Sequence, residues 1–247
     1  MVEITAEQRQ QFRDEGYFVL ERCIPEEHLA MLRDELQGFI EDIDQKMDEG
    51  GVEVEGLNHK GKRYFIALRH NERPRIADFL FSDLMAEICR ATIGDPAWLF
   101  WEQYVVKAAD VGMKFAWHQD SGYLRNNLPD HEIPYLTCWC ALDDVSEENG
   151  TIYVLPYSRA GTREIVEHVR QEGTNDLVGY TGDDPGVPVV VPAGSIAVFS
   201  TTVMHRSGAN RTDRQRRSYI AQYSAEPILR PGGEAVGFVD PILPARV

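Results

Sequence analysis

The chain has 247 residues, 43% of them hydrophobic, and its 40 acidic and 25 basic side chains give a net charge of −15. This balance argues against nucleic acid and anionic membranes as partners, because both bind basic surfaces. No apolar run approaches membrane-spanning length, and the four cysteines have neither metal-binding spacing nor a disulfide framework. We therefore expect a cytoplasmic protein, about the size of one domain.

The N-terminal third reads mainly as helices. Thr5 and Gln8 form a capping box that predicts a helix from Ala6 to about Glu15, followed by a strand at 17–20. Pro25, at a first helical position, opens a longer helix with an apolar stripe of period 3.6. A further helix is predicted over about 75–93. The stripe of the longer helix consists of Leu29, Leu32, Leu36, Phe39, Ile40 and Ile43.

From Trp98 onward, short apolar runs alternate with Gly and Pro, which predicts strands separated by turns. Helices followed by many strands, without βαβ alternation, indicate a mainly β fold: an antiparallel double-sheet barrel with N-terminal helices. We expect a single domain over 1–247, with a helical layer over about 1–95 and a barrel core over about 98–226. The predicted strands cover 98–107, 114–118, 135–143, 151–155, 188–191, 195–199 and 216–224.

The segment 157–188 is predicted to contain a short helix over 163–171 and a turn-rich stretch at 182–186. A long insertion beside a barrel mouth is typical of a lid. An ordinary surface excursion is an equally good interpretation.

Two distant segments carry the candidate chemistry. His118 and Asp120 are two residues apart, so on an extended strand their side chains project to one face. His205 is expected at the end of an apolar strand over 195–203, and Arg216 opens the next strand. Two imidazoles and one carboxylate form the facial triad that holds non-haem Fe(II), and an arginine suits the carboxylate of a co-substrate.

Each of these four residues also has an ordinary structural interpretation, such as a core histidine or a surface arginine, but together they favour an iron enzyme. The similar triplet His70-Asn-Glu72 has no downstream partner of matching spacing and is interpreted as surface polar residues. His168 is assigned to the predicted 163–171 helix and to no cluster.

The order of these motifs resembles the phytanoyl-CoA dioxygenase family of Fe(II)- and 2-oxoglutarate-dependent oxygenases. The resemblance rests on FRDEGYFVLERCIPEEHLAMLRDEL, WHQDSGYL, TCWCALDDVSEENGTIYVLPYSR and PAGSIAVFSTTVMHRSGANRTDRQRRSY. It implies a double-stranded β-helix, or jelly-roll, with His118, Asp120 and His205 as iron ligands. Arg216 would anchor 2-oxoglutarate, assisted by Gln103, Trp139 and Ser207. At LPYSR the chain departs from the Pro-Gly-Ser-His of many members, which weakens the transfer of loop contacts.

The resemblance further implies an enzyme that uses Fe(II), 2-oxoglutarate and dioxygen to hydroxylate a small organic metabolite, with release of succinate and carbon dioxide. Halogenating relatives replace the carboxylate ligand with a small residue, so Asp120 favours hydroxylation. Desaturation or ring formation stays open, as do the substrate and the oligomeric state. The alternatives are a cupin-like metal site without redox chemistry, such as an isomerase, and a binding protein.

Overall fold

The computed structural model describes residues 2–109, 114–128, 132–172 and 176–243. Its α-helices are α1 Ala6–Glu15, α2 Glu26–Gly50, α3 Arg75–Leu80, α4 Asp83–Thr92, α5 Asp120–Asn127 and α6 Tyr157–Ala160. Its strands are β1 Tyr17–Leu20, β2 Val54–Glu55, β3 Asn58–His59, β4 Arg63–Ala67, β5 Ala97–Lys107, β6 Phe115–His118, β7 Tyr135–Ala141, β8 Ile152–Leu155, β9 Val169–Arg170, β10 Leu177–Val178, β11 Val187–Pro188, β12 Ile196–Ser200, β13 Met204–Ser207, β14 Arg216–Ser224 and β15 Asp240–Leu243.

Two antiparallel sheets form the body of the molecule. The larger has the order β1-β12-β7-β14-β5-β4-β3-β2, with β15 paired to β5, and the smaller has the order β11-β8-β13-β6. Between β5 and β14, the chain crosses repeatedly from one sheet to the other, which is the winding of a jelly-roll. The predicted fold class, mainly β with N-terminal helices and a double-stranded β-helix, is confirmed.

The N-terminal helices cover the outer face of the larger sheet. The largest apolar cluster joins buried side chains of α2, α3 and α4 to sheet residues such as Cys138, Cys140 and Tyr219. The α1 helix has the predicted capping box at Thr5 and ends at Gly16, whose φ of 80° lies in the left-handed region that glycine tolerates. Among the described residues, no helix is long and apolar enough to cross a membrane.

Several local predictions need correction. The helix expected over 75–93 is two helices, because Ser82 adopts an extended backbone and its side chain caps the amide of Met85. The helix expected over 163–171 is wrong, since residues 163–168 have no regular structure and Val169–Arg170 forms a strand. The strand expected at 188–191 is displaced to Val187–Pro188, and Pro25 caps α2 rather than opening its first turn.

The first 95 residues also form strands. The sequence predicted β1 but not β2, β3 or β4. β1 pairs with β12, and β4 pairs with β5 over five residues from Arg63 to Ala67. β4 alternates buried and half-buried positions, so its inward side chains join the same core as the helices.

We predict that Leu32→Ala lowers the free energy of unfolding by about 2–5 kcal/mol, because the fully buried Leu32 would leave a cavity between α2 and the sheet. Urea unfolding followed by circular dichroism measures the change. The matched control, Leu229→Ala at a half-exposed position, should change the free energy of unfolding by no more than about 0.5 kcal/mol. Equal effects of the two substitutions would contradict the described packing.

Candidate metal centre

The candidate centre forms where β6 and β13 pair in the smaller sheet. His118, the last residue of β6, lies directly opposite His205 of β13. Gln119 continues with an extended backbone, and Asp120 then begins α5. Asp120 Oδ1 is 3.8 Å from His118 Nε2 and 3.5 Å from His205 Nε2. One candidate ligand atom from each of the three residues lies within 4.8 Å of the others, which suits a shared metal ion.

Two parts of the sequence prediction differ from this arrangement. Asp120 lies in the first turn of a helix rather than on a strand, yet it shares the face of His118 because Gln119 between them is extended. His205 does not end the strand that begins near Ser195. That strand stops at Ser200, and after a short turn His205 lies within a separate strand of the other sheet.

Both imidazoles are oriented by the backbone. His118 Nδ1 is 2.8 Å from the carbonyl oxygen of Ala116, and His205 Nδ1 is 3.2 Å from that of Val203. A carbonyl oxygen only accepts, so Nδ1 donates in each case and the Nε2 lone pair faces the centre. Burial, and then the neighbouring His205, lower the pKa of His118 to about 3, so His118 is neutral at physiological pH.

The Asp120 carboxylate is held through its other oxygen. Thr137 Oγ1 donates to Asp120 Oδ2 at 2.6 Å, and Gln222 Nε2 donates to the same oxygen at 3.0 Å. Gln222 also donates to the Thr137 hydroxyl. These contacts come from β7 and β14 of the larger sheet and leave Oδ1 directed at the two histidines. We refer to Thr137 and Gln222 as the carboxylate clasp.

The centre opens into a cavity of ≈ 110 Å³ between the two sheets. All seven residues singled out from the sequence line it: His118, Asp120, His205, Arg216, Gln103, Trp139 and Ser207. Its remaining walls are largely apolar, as in most small-molecule sites. They include Phe65, Val105, Phe115, Ile152, Phe199 and Ile220.

Arg216 is only 1% exposed and has no ion-pair partner among the described residues. Its Nη1 donates to Ser218 Oγ at 2.9 Å and its Nη2 to the carbonyl oxygen of Gly150 at 3.0 Å, while Nε has no hydrogen-bond partner in the part of the chain that the structure describes. The guanidinium lies 5.5 Å from the centre of the Trp139 ring. Burial lowers the pKa of Arg216 to about 10 against the opposing charge of Asp143, so Arg216 stays charged at physiological pH.

Sequence reasoning missed a second layer around the centre. Gln119 is fully buried, and its amide nitrogen Nε2 donates to the carbonyl oxygens of Glu164 and Thr202. Its backbone amide donates to His168 Nε2 at 3.0 Å, and Val166 N donates to its Oε1 at 2.9 Å. Gln119 thus ties the His118–Asp120 segment to the 157–188 segment and to the turn before His205. Periodicity carried no signal for these contacts, because the partners are distant in sequence.

The sequence-based interpretations of His168 and His70 also need correction. His168 belongs to no helix and contacts the backbone between two candidate ligands. His70 is 3% exposed rather than on the surface, and its ring packs 4.2 Å from that of Phe238. His70 takes no part in the candidate centre, which agrees with its exclusion.

We predict that Thr137→Val weakens metal binding by about 10–100-fold, because it removes one of the two donors that fix the Asp120 carboxylate. Chelator competition with Fe(II) or Co(II) under anaerobic conditions measures the affinity. Thr92→Val is the matched control, since it removes a threonine hydroxyl that bonds the carbonyl of Ile88 in α4. An unchanged affinity in Thr137→Val would show that the clasp does not orient a ligand.

Comparisons with known proteins agree on one family. The protein-family model for phytanoyl-CoA dioxygenase (PhyH) matches residues 12–218 of this chain. A probable phytanoyl-CoA dioxygenase of Caenorhabditis elegans is 23% identical over 250 residues, which cover 92% of this chain and 77% of that protein.

Solved structures show the same fold. EctD from S. alaskensis, crystallised with 2-oxoglutarate and 5-hydroxyectoine, has a TM-score of 0.72 and 20% identity, covering 98% of this chain and 87% of its own. The non-haem α-ketoglutarate-dependent carbocyclase SnoK from nogalamycin biosynthesis has a TM-score of 0.70 and 21% identity, covering 97% of this chain and 95% of its own.

Proposed function

This chain belongs to the phytanoyl-CoA dioxygenase family, and on that premise we propose that it is an Fe(II)- and 2-oxoglutarate-dependent dioxygenase that hydroxylates a small organic metabolite. His118, Asp120 and His205 are the proposed iron ligands. Arg216 is the proposed anchor of the far carboxylate of 2-oxoglutarate, with Gln103, Trp139 and Ser207 beside it. One observation carries the proposal: a buried arginine that forms no ion pair with any described residue lines the same cavity as the three clustered ligand atoms.

The donor set suits the metal and the co-substrate. Two imidazoles and one carboxylate, converging from one side, are the ligand set typical of non-haem Fe(II). The orphaned Nε of Arg216 and its buried positive charge suit a carboxylate, because a guanidinium binds carboxylates through paired hydrogen bonds. When bound, iron and 2-oxoglutarate supply the reaction with dioxygen that oxidises a substrate C–H bond and releases succinate and carbon dioxide.

The protein's own share is orientation and exclusion of water. The carbonyls of Ala116 and Val203 hold the imidazoles in one tautomer, and the carboxylate clasp keeps Asp120 Oδ1 aimed at the centre. The apolar walls from Phe199, Ile152 and Phe115 keep the reacting region dry, which strengthens the electrostatic interactions inside it.

The substrate is proposed only by class. The EctD structure holds 5-hydroxyectoine, so a fold of this kind accommodates a small organic molecule beside 2-oxoglutarate. The cavity here combines aromatic walls with Gln103 and Gln222, which supports a small metabolite with polar groups rather than a polymer. Hydroxylation is the proposed outcome because Asp120 retains the carboxylate.

The alternative, a cupin-like metal site without redox chemistry, has no use for Arg216. A buried charge without a partner is costly, and nothing in such a site would offset it. We also propose that the chain acts as one domain, since one apolar cluster joins the N-terminal helices to the sheet that supports the cavity.

The proposed function predicts that the protein releases succinate from 2-oxoglutarate in the presence of Fe(II), dioxygen and a suitable small metabolite. His118→Ala should abolish this release because it removes one of three metal ligands. A succinate assay over a panel of small metabolites, with a parallel assay of dioxygen uptake, checks the result. His59→Ala on β3 is the control and should retain activity. Full activity in His118→Ala would contradict the ligand assignment.

A second prediction concerns Arg216. Arg216→Gln should raise the 2-oxoglutarate concentration needed for half-maximal turnover by roughly 30-fold or more, the consequence of losing about 2 kcal/mol or more from a buried charge pair. Metal affinity should change by less than a factor of two. Arg217→Gln is the control, because Arg217 pairs with Asp143 instead. An unchanged requirement for 2-oxoglutarate would exclude Arg216 as its anchor.

A further inference from the structure

The His168 imidazole accepts a hydrogen bond from the backbone between two candidate metal ligands. Its Nε2 is 3.0 Å from the amide nitrogen of Gln119, the residue that joins His118 to Asp120. A backbone N–H only donates, so Nε2 is the acceptor and carries no proton. The other ring nitrogen, Nδ1, is 2.9 Å from the carbonyl oxygen of Val166, which only accepts, so Nδ1 carries the proton. The two contacts therefore require one neutral form of the ring.

The Gln119 amide needs this acceptor because the sheet supplies none. The pairing of β6 with β13 reaches His118, which lies opposite His205, and within the described strands it does not extend to Gln119. Gln119 is also the N-cap residue of α5, so its N–H precedes the hydrogen bonds of that helix. The residue is 0% exposed. A buried amide without an acceptor is costly, and among the described residues it is His168 that satisfies this one.

Two glycines make room for the His168 ring at this position. Gly122 lies in α5, two residues after Asp120, and a Cβ atom there would overlap ring atoms of His168. A Cβ atom at Gly179 would stand 2.6 Å from His168 Nε2, closer than real Cβ atoms come to other heavy atoms. The Gly179 amide also donates to the carbonyl oxygen of Trp117 at 2.8 Å, which ties this part of the chain to β6. The imidazole is thus packed against the backbone both of α5 and of the 157–188 segment.

We propose that His168 is a positioning residue for the metal centre: by accepting from the Gln119 amide, it fixes the backbone that joins two of the proposed ligands. Those ligands are His118 and Asp120, whereas His168 itself is not one of the three clustered ligand residues. The inference rests on the proposed function and deepens it, because it makes the 157–188 segment a working part of the metal centre. Partners that orient metal ligands in this way change metal affinity by about 10–100-fold when they are removed.

The test compares two amide side chains that replace different nitrogens of the ring. In His168→Gln, the side-chain oxygen is as many bonds from Cα as Nε2 is, so it can accept from the Gln119 amide. In His168→Asn, the shorter amide can replace only Nδ1 and leaves the Gln119 amide without its acceptor. Anaerobic titration with Co(II) against a competing chelator measures the metal affinity. His168→Asn should bind Co(II) about tenfold or more weakly than the unsubstituted protein, and His168→Gln should stay within about threefold of it.

A second variant, Gly122→Ala, tests the same contact without changing the imidazole, and it keeps the test decisive if His168→Asn does not fold. Alanine is ordinarily favoured over glycine within a helix, but this methyl group would displace the His168 ring from Gln119. Co(II) should therefore bind about tenfold or more weakly. Gly38→Ala in α2 is the matched control, since a Cβ atom there meets Arg73 at 3.4 Å, an ordinary contact. Equal affinities of the two glycine variants would contradict the positioning role.

A merely structural role is separated by the visible spectrum of the Co(II)-loaded protein. The ligand-field bands of bound Co(II) depend on the geometry of its ligands, so at saturating Co(II) the bands of His168→Asn should differ from those of the unsubstituted protein. His168→Gln should restore them. A substitution that only destabilised the fold would reduce the folded fraction, seen by circular dichroism, and leave the bands of the bound fraction unchanged.

The failure of this inference is distinct from the failure of the proposed function. An unsubstituted protein that does not bind Co(II) through His118, Asp120 and His205 would contradict the proposed function itself. An unsubstituted protein that binds Co(II), with the same affinity and the same spectrum as His168→Asn, would overturn only the positioning role of His168.

Discussion

The antiparallel pairing of β6 with β13 is the interaction on which the candidate centre depends. It sets His118 opposite His205, and their ring centres are 4.2 Å apart. Burial, and then the neighbouring His205, lower the pKa of His118, so the pairing favours the neutral form of His118, which can bind a metal. Asp120 then follows from one extended residue and the start of α5. A slip of one residue in this register would turn one imidazole out of the site.

The two sheets make different contributions to the site. The smaller sheet carries the histidines, while the larger sheet carries the carboxylate clasp and the buried side chains of Lys107 and Arg216. The proposed chemistry therefore depends on how the two sheets pack, because neither sheet alone brings the proposed metal ligands and the proposed anchor Arg216 together. Side chains such as Phe199 and Ile152 line the cavity between the sheets. The N-terminal helices pack on the opposite face of the larger sheet and support β14, the strand that bears Arg216.

The sequence predicted those features of the fold that depend on residues close together in the chain. The capping box of α1 and the start of β14 at Arg216 follow from nearby residues, and both are confirmed. The four motif residues could be found because their chemical types and order are distinctive. The break at Ser82 escaped periodicity, because one capping residue interrupts an otherwise continuous apolar stripe. The contacts of Gln119 with His168, and of Lys107 with Ser207, join residues distant in the chain, so no spacing rule reveals them.

The most direct test of the account is a crystal structure grown anaerobically with Fe(II) and 2-oxoglutarate, with anomalous diffraction recorded at the iron edge. The account predicts one anomalous peak at about 2.0–2.2 Å from the nearer side-chain nitrogen or oxygen of His118, Asp120 and His205, a distance typical of such metal ligands. It also predicts the far carboxylate of 2-oxoglutarate against Arg216. A peak bound by other residues, or 2-oxoglutarate without contact to Arg216, would contradict it.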